Sequence, residues 1–207
     1  SGEVSRITFL ISVAKVRCFC CRAVAMRLKG IDEVATKMLR GKNEESFLLK
    51  RLYLWLDYAC SIFMLRKVEK YDKSMVKQRS APAKYYVADI ALRNAVLLPE
   101  SEDAGKALEN IVYLDLERSL GEEDRVFYYN ESKECDFVVL RGDRVAELMQ
   151  VCWTLNEENI EREVGGLLAA SAFTGCASCS IITFSQQRTL ERDGIRIEVK
   201  PIWSVSI

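Results

Sequence analysis

The 207-residue sequence predicts an α/β (α+β) protein made of a basic helical module followed by a mixed sheet with helices packed against it. The first observation is charge: residues 1–97 carry 19 Lys or Arg against 9 Asp or Glu, whereas residues 98–207 carry 11 against 21. Such asymmetry between halves is typical of two modules. The second observation is the order of strand and helix patterns after Pro99, which requires a helical crossover and therefore some parallel strand pairing. We place the modules at residues 1–98 and 99–207.

Composition narrows the classes of function. Apolar residues make up 49% and charged residues 29%, as in ordinary globular proteins. No apolar run reaches the roughly 18 residues that a membrane span requires, so we expect no membrane insertion. The sequence contains no histidine, which excludes Ser-His-Asp and Cys-His catalysis and mixed cysteine–histidine zinc sites.

The chain has eight cysteines, three of them clustered near residue 20 and two in a CxxC at Cys176 and Cys179. We expect them to be reduced, partly buried thiols of a cytoplasmic protein. A zinc site of four cysteines stays open only if the two clusters meet in space.

The first half predicts helices followed by a two-stranded ribbon. Apolar spacings of three and four residues predict short helices and then a longer one, at residues 4–15, 20–28, 32–39 and 43–60. Strand-forming residues follow at 62–68 and 84–89. Three helices and a ribbon with a basic tip are the outline of a winged helix.

Basic side chains of this module are candidates for phosphate contacts. We expect Lys50 and Arg51 on the fourth helix, and Lys73, Lys77 and Arg79 at the ribbon tip, to bind nucleic acid. DNA is the favoured partner and RNA stays open. Solvated surface lysines without a partner are the plain alternative.

The second half predicts two long helices and five strands. The helix at 103–120 ends at Gly121, and the helix at 157–174 ends at Gly175. The strands fall at residues 126–129, 134–140, 145–153, 180–184 and 195–203, with a hairpin turn at 141–144.

Three polar residues stand inside otherwise apolar elements of this half. They are Glu109 on the first helix, Asp136 at the start of the second strand and Gln150 on the returning strand. Burying such groups is costly unless they are paired, hydrogen-bonded or bound to a metal. The sequence therefore predicts that these three side chains are compensated in one of these ways.

Several segments carry a family resemblance. They are residues 84–94, 105–110, 134–138, 150–152, 162–163 and 197–203. Together they resemble the C-terminal domain of unknown function that follows a P-loop AAA+-type ATPase in many bacteria and archaea. That domain is PD-(D/E)XK nuclease-like, with a restriction-endonuclease-like αβββαβ core that a winged helix joins to the ATPase. The resemblance spans roughly residues 45–207 and departs at Ala91, where the family usually has Gly.

The resemblance implies a metal-dependent nuclease site. Glu109, Asp136 and Gln150 fall at the metal-site positions, which the resemblance implies converge on one edge of the sheet, and they imply Mg²⁺ as the cofactor. Cys152 falls where the family has its catalytic lysine, and Arg162 is a hypothetical substitute for that positive charge. Because Gln150 and Cys152 replace the Glu-x-Lys pair, phosphodiester cleavage is expected to be weak or lost.

A different class of function stays open, namely a non-catalytic domain for protein interaction or oligomerisation, including a homodimer. The family also implies an ATPase domain or partner. This sequence has no Gly-x-x-x-x-Gly-Lys-Ser/Thr motif, so we expect no ATP site of the P-loop kind in this chain. A second Glu-x-Lys, Glu198 and Lys200, is interpreted as the exposed face of the last strand.

Overall fold

The computed structural model of the protein describes residues 45–91 and 104–204. The helices predicted at 4–15, 20–28 and 32–39 lie outside these residues. The described chain forms two compact units, one containing residues 45–66 and 85–91 and the other residues 67–84 and 104–204. The predicted division at residue 98 differs from these units in one segment, because residues 67–84 group with the large sheet.

The described helices and strands fall into two groups along the chain, one before residue 92 and one after residue 103. The first group is α1 Glu45–Ser61, β1 Leu65–Val68, α2 Met75–Ser80 and β2 Lys84–Val87. The second group is α3 Ala104–Ser119, β3 Arg125–Asn130, β4 Glu134–Arg141, β5 Arg144–Val151, α4 Ile160–Thr174, β6 Cys179–Thr183, β7 Arg188–Arg192 and β8 Ile195–Pro201, followed by the 3-10 helix η1 Ile202–Ser204.

β1 and β2 pair as a two-stranded sheet, at the position predicted for the ribbon. The predicted loop between them contains a short helix, α2, whose last turn carries Lys77 and Arg79. The coarse expectation of a mixed α and β protein is confirmed, and the winged helix stays a prediction.

The large sheet has six strands in the order β3-β4-β5-β6-β8-β7. The pairs β3–β4, β4–β5 and β7–β8 are antiparallel, whereas β5–β6 and β6–β8 are parallel. The parallel pair β5–β6 follows from α4, which connects the two strands as the predicted crossover. The mixed sheet expected from the sequence is confirmed.

The main core lies between this sheet and α4. Alternate apolar residues of the central strands, such as Leu148, Ile181 and Ile197, are fully buried with Leu167 of α4. This alternation is what period-2 strands require when one face is covered. Gly175 ends α4 in the left-handed region at φ 79°, where its N–H donates to the Ser171 carbonyl at 2.8 Å.

β7 has no clear signal in the sequence. It is an exposed edge strand with Leu190 as its single apolar residue, so neither burial nor alternation marks it. β8 lies between β6 and β7, with Glu198 and Lys200 on its more exposed side. The two side chains form an ion pair at 2.9 Å with exposed fractions of 46% and 36%, as the sequence interpretation expected.

Segment 67–84 packs against β3. The Tyr71 N–H donates to the Tyr128 carbonyl at 2.7 Å, and the Tyr128 N–H donates to the Glu69 carbonyl at 3.1 Å. The Tyr71 ring makes edge contacts with Phe127 at 5.9 Å and Phe173 at 6.2 Å between centroids. This packing holds the segment against the large sheet. Lys84, the last residue of the segment and the first of β2, is thereby placed near the strands of that sheet.

Among the described residues, no helix combines the length and apolarity that crossing a membrane would require.

Candidate functional site

Asp136 is a fully buried carboxylate near the start of β4. Its Oδ2 accepts a hydrogen bond from the Val151 N–H of β5 at 3.1 Å, and its Oδ1 lies 3.0 Å from Nζ of Lys84. A buried carboxylate is stable only when hydrogen bonds and an opposite charge compensate its lost hydration. Asp136 has both, which explains how an acid is tolerated in an apolar strand.

Lys84 lies at the centre of three carboxylates, and we call these four residues the Lys84 cluster. Its Nζ is 2.8 Å from Glu134 Oε1, 3.0 Å from Asp136 Oδ1 and 3.1 Å from Glu109 Oε1. The Lys84 side chain is only 13% exposed. Three carboxylate side chains therefore share one ammonium group, whose positive charge lies within hydrogen-bonding distance of all three.

Tyr128 supports the ammonium from one side. Lys84 Nζ lies 5.4 Å from the centroid of the Tyr128 ring, within the range of a cation–π contact. The Tyr128 hydroxyl donates to the Pro82 carbonyl, two residues before Lys84. Burial raises the pKa of Tyr128, and the positive charge of Lys84 opposes that rise. The phenol therefore stays a neutral donor that holds the lysine segment in place.

Glu109 and Asp136 converge, as the sequence analysis expected, because both contact the same ammonium. Glu134 and Lys84 complete the cluster and were not predicted as site residues. A weak signal existed for Glu134, which precedes Asp136 by two residues on a strand and therefore shares its face. Lys84 had no signal of this kind, because only tertiary packing brings segment 67–84 to the sheet.

Gln150, predicted as a metal ligand, makes two hydrogen bonds within the protein. Its Oε1 accepts the Asp136 N–H at 3.1 Å, and its Nε2 donates to Glu163 Oε2 at 2.6 Å. Gln150 therefore bridges β4 and α4. A neutral amide suits this position because it supplies an acceptor and a donor at once, which an ionised glutamate cannot do.

Glu163 of α4 is fully buried and is the partner of both Gln150 and Arg162. Arg162 Nε donates to Glu163 Oε1 at 3.0 Å, while its side chain is 63% exposed. Arg162 thus pairs with Glu163, and its hypothetical role as the positive charge of the metal site stays a prediction. Sequence reasoning missed Glu163, which has the pattern of an ordinary first-turn acid of a helix.

Gly166 allows α4 to lie directly against the start of β4. A Cβ at this position would lie 2.0 Å from the Glu134 carbonyl oxygen and 3.6 Å from Gln150 Oε1. Any larger residue would force the helix away from the strand. The close approach is what brings Glu163, one turn earlier, within reach of Gln150.

Cys152 is a buried, neutral thiol. Burial raises its pKa to about 12, and the negative charges of Glu163 and Asp136 add to the rise. Burial likewise raises the pKa of Cys179 to about 11 and raises that of Cys135 further. The five described cysteines are free thiols, and none supplies positive charge to the Lys84 cluster.

These pKa shifts predict unequal alkylation. At pH 8 a thiol of pKa 12 is ionised in only about one molecule in 10⁴, and the thiolate is the reactive form. We therefore expect iodoacetamide to leave Cys135 and Cys152 unmodified in the native protein while it modifies the half-exposed Cys176. Peptide mass spectrometry measures the modified fraction at each site. The control is the same reaction in denaturant, where all three react; equal native rates at Cys152 and Cys176 would contradict the burial.

The residues predicted to bind nucleic acid are divided between the units. Lys73, Lys77 and Arg79 are exposed and belong to segment 67–84, and Lys73 Nζ lies 5.0 Å from the centroid of the Phe173 ring. Lys50 and Arg51 lie on α1, and their side chains are outside what the structure describes. Lys73, Lys77 and Arg79 thus share one exposed segment of the second unit.

The donor set of the Lys84 cluster matches the chemistry of a hard divalent cation. Mg²⁺ prefers carboxylate oxygens at about 2.0–2.1 Å. In the described part of the chain, no three acidic or cysteine side chains already lie at metal-ligand spacing. The three carboxylates of the cluster are arranged around an ammonium, so a metal would require Lys84 Nζ to leave the central position. The carboxylate oxygens of the cluster fit the ion by ligand type.

The fold and this site define a class of protein: a mixed α and β domain with a buried acidic cluster at the edge of a mixed sheet. The chain is similar to an uncharacterized protein of Methanocaldococcus jannaschii, with 30% identity over 167 residues. The match covers 75% of this chain and 36% of the archaeal protein's length. No protein-family model matches the chain, and no solved structure does.

Proposed function

We propose that the protein binds nucleic acid and that the Lys84 cluster is a PD-(D/E)XK nuclease-like site whose metal-dependent phosphodiester cleavage is weak or lost. The observation that supports this proposal is the convergence of Glu109, Glu134 and Asp136 on one ammonium at the sheet edge. Phosphodiester hydrolysis needs this combination of carboxylates for a metal and a cation for the phosphate. DNA is the proposed partner, with RNA as the alternative.

Each member of the cluster has a proposed task. Glu109, Glu134 and Asp136 would hold Mg²⁺, which when bound polarises the scissile phosphate and lowers the pKa of water. The Val151 N–H fixes the orientation of Asp136 through its 3.1 Å hydrogen bond. Lys84 would supply the positive charge that the neutral Cys152 thiol cannot supply. Gln150 takes no part in binding the metal in this proposal, because its amide is used in the bridge to Glu163.

The test is a cleavage assay with Asp136→Asn. The variant keeps an oxygen for the Val151 N–H but removes the charge, so we expect nicking of supercoiled DNA with Mn²⁺ or Mg²⁺ to fall on the order of 100-fold. Asp115→Asn is the matched control, because Asp115 is a carboxylate on α3 that pairs with Arg118 at the surface. Equal nicking by wild type and Asp136→Asn would reveal a contaminating nuclease. Wild type that never cleaves DNA or RNA would remove the catalytic part of the proposal.

The proposal that the protein binds nucleic acid is supported by exposed basic side chains of segment 67–84. Lys73, Lys77 and Arg79 lie in the same unit as the Lys84 cluster. Phosphate contacts from such residues would position a strand without reading its sequence. We also propose that an ATPase domain or partner accompanies this chain; the greater length of the archaeal relative is consistent with this. The free thiols fit a cytoplasmic location.

A non-catalytic interaction domain is the second candidate, and one observation favours it. Large apolar side chains of residues 53–64 are exposed within the described chain, including Leu54 at 68%, Tyr58 at 60% and Phe63 at 71%. A patch of this kind is typical of a surface that binds a protein or a second copy. Analytical ultracentrifugation distinguishes the candidates: a stable dimer that Leu54→Asp or Phe63→Asp dissociates, together with no cleavage, would favour interaction over catalysis.

A further inference from the structure

We propose that Trp153, Phe184 and Trp203 form a base-stacking platform that selects single-stranded nucleic acid. We call these three residues the aromatic platform. Single-stranded nucleic acid would then be the substrate class of the nuclease-like site, a conclusion that rests on the proposed function. Binding to the platform does not depend on cleavage.

The platform is assembled from three separate chain segments of the second unit. Trp153 follows β5, Phe184 follows β6, and Trp203 lies in η1 after β8. The rings of Trp153 and Phe184 stack with centroids 4.2 Å apart and planes at 13°, and Trp203 meets Phe184 edge-on at 6.4 Å. The Phe184 N–H donates to the Trp153 carbonyl at 3.1 Å, so the two rings are held by backbone pairing.

All three side chains are exposed although their neighbours on the same strands are buried. The exposed fractions are 41% for Trp153, 45% for Phe184 and 67% for Trp203. Val151 and Ile182, two residues before the first two aromatics, are nearly inaccessible. A contiguous cluster of large aromatics outside the core is typical of a binding surface. Planar, rigid rings of this size suit nucleobases, whose faces stack on indole and phenyl groups.

A charged groove adjoins the platform at Ser204, the residue after Trp203. The groove has a volume of about 770 Å³ and is lined by four cationic side chains and two carboxylates, namely Arg141, Arg188, Arg196, Lys200, Glu147 and Glu198. Glu198 pairs with Lys200 at 2.9 Å, and Glu147 accepts a hydrogen bond from Ser180 at 2.9 Å. The balance is positive, which complements a phosphate backbone beside stacked bases.

One member of the platform, Trp153, follows the strand that orients Asp136. Val151 donates its N–H to Asp136, and Trp153 is two residues further along the chain, about 7 Å at the rise of extended backbone. Trp153 and the residue that orients Asp136 are therefore neighbours along one chain segment of the second unit.

Only unpaired bases can use such a surface. In a duplex the base faces are stacked on each other and only their edges are accessible. Single strands expose their faces and bind aromatic platforms with little dependence on sequence. The expected ligand is therefore single-stranded DNA or RNA rather than a duplex, and a protein partner is the competing occupant that the test must exclude.

The experiment measures fluorescence anisotropy of a 5′-labelled dT15 strand in EDTA, so that cleavage plays no part. We expect Trp153→Ala, Phe184→Ala and Trp203→Ala each to weaken binding on the order of tenfold. Trp55→Ala is the matched control, because Trp55 is an exposed tryptophan of the other unit and its loss is expected to leave binding unchanged. Trp153→Phe keeps a stacking ring and is expected to restore most of the affinity, which separates stacking from folding.

Three further ligands test whether binding depends on the sugar, on unpaired strands and on the bases. U15 should bind about as well as dT15, a 15-base-pair duplex should bind more weakly, and an abasic strand of equal charge should lose the effect of the aromatic variants. Equal affinity for dT15 and abasic strand, or unchanged affinity of the platform variants, would overturn the proposal. Self-association that Trp203→Ala abolishes, without any strand binding, would also overturn it. Cleavage is assayed separately with Asp136→Asn. A protein that does not cleave can therefore still bind dT15 through the platform, and a protein that does not bind dT15 can still be tested for cleavage.

Discussion

Replacing Lys84 with Met is expected to destabilise the protein by about 3–5 kcal/mol in the free energy of unfolding. The substitution keeps much of the side-chain volume but removes a cation that Glu109, Glu134 and Asp136 share. Asp136 is fully buried, so its charge cannot regain hydration from solvent. Equilibrium unfolding in urea, followed by far-ultraviolet circular dichroism, measures the change.

Lys67→Met is the matched control for this substitution. Lys67 also pairs with a glutamate at 3.1 Å, but its side chain is 43% exposed. Exposed ion pairs of this kind contribute about 0–1 kcal/mol, so this variant should unfold close to wild type. Lys84→Arg should fall between the two, because it keeps the charge but requires more room. Equal midpoints for Lys84→Met and Lys67→Met would show that the Lys84 cluster adds nothing to stability.

Gln150→Glu is expected to be the second large loss, roughly 2–5 kcal/mol of the free energy of unfolding. The change places a carboxylate against the buried Glu163, where Gln150 Nε2 now donates at 2.6 Å. Two acids cannot both be ionised at this distance without a donor between them. Thermal unfolding at pH 5 and pH 8 should show a smaller loss at the lower pH, because protonating one carboxyl restores a donor.

The exchange Gln150→Glu with Glu163→Gln tests this explanation directly. The new amide at 163 can donate to the new carboxylate at 150, whose other oxygen can still accept the Asp136 N–H. We expect the double variant to recover most of the lost stability, with some loss retained because Arg162 no longer faces a carboxylate. Gln187→Glu, at an exposed position, is the control for adding one negative charge. A double variant as unstable as Gln150→Glu alone would refute the bridge.

The secondary structure of the second unit could be predicted because its signals are local. The helix expected at 103–120 is observed at Ala104–Ser119, where Leu108, Val112 and Leu116 recur at helical spacing and are buried. The hairpin expected around 141–144 is observed with Gly142 in the left-handed region. β7 lacked such a signal, because a short exposed edge strand needs little apolar alternation.

The candidate site could be predicted only in part. Asp136 and Glu109 stood out because acids inside apolar patterns require compensation. Glu163 was indistinguishable from a solvated first-turn acid, and its complete burial depends on Gly166, which lets α4 approach β4. Gln150 was assigned to the metal by position, whereas its amide bridges Asp136 and Glu163.

The sequence by itself determined the long helices and central strands of the second unit, the mixed sheet and the presence of acids that had to be compensated. Only the tertiary structure decided what compensates them. Lys84 belongs to a segment that precedes α3, and backbone hydrogen bonds between residues 69–71 and Tyr128 hold that segment against the sheet. The reason is physical. Periodicity and capping act over a few neighbouring residues, whereas the partner of a buried charge is chosen by whichever segments pack together.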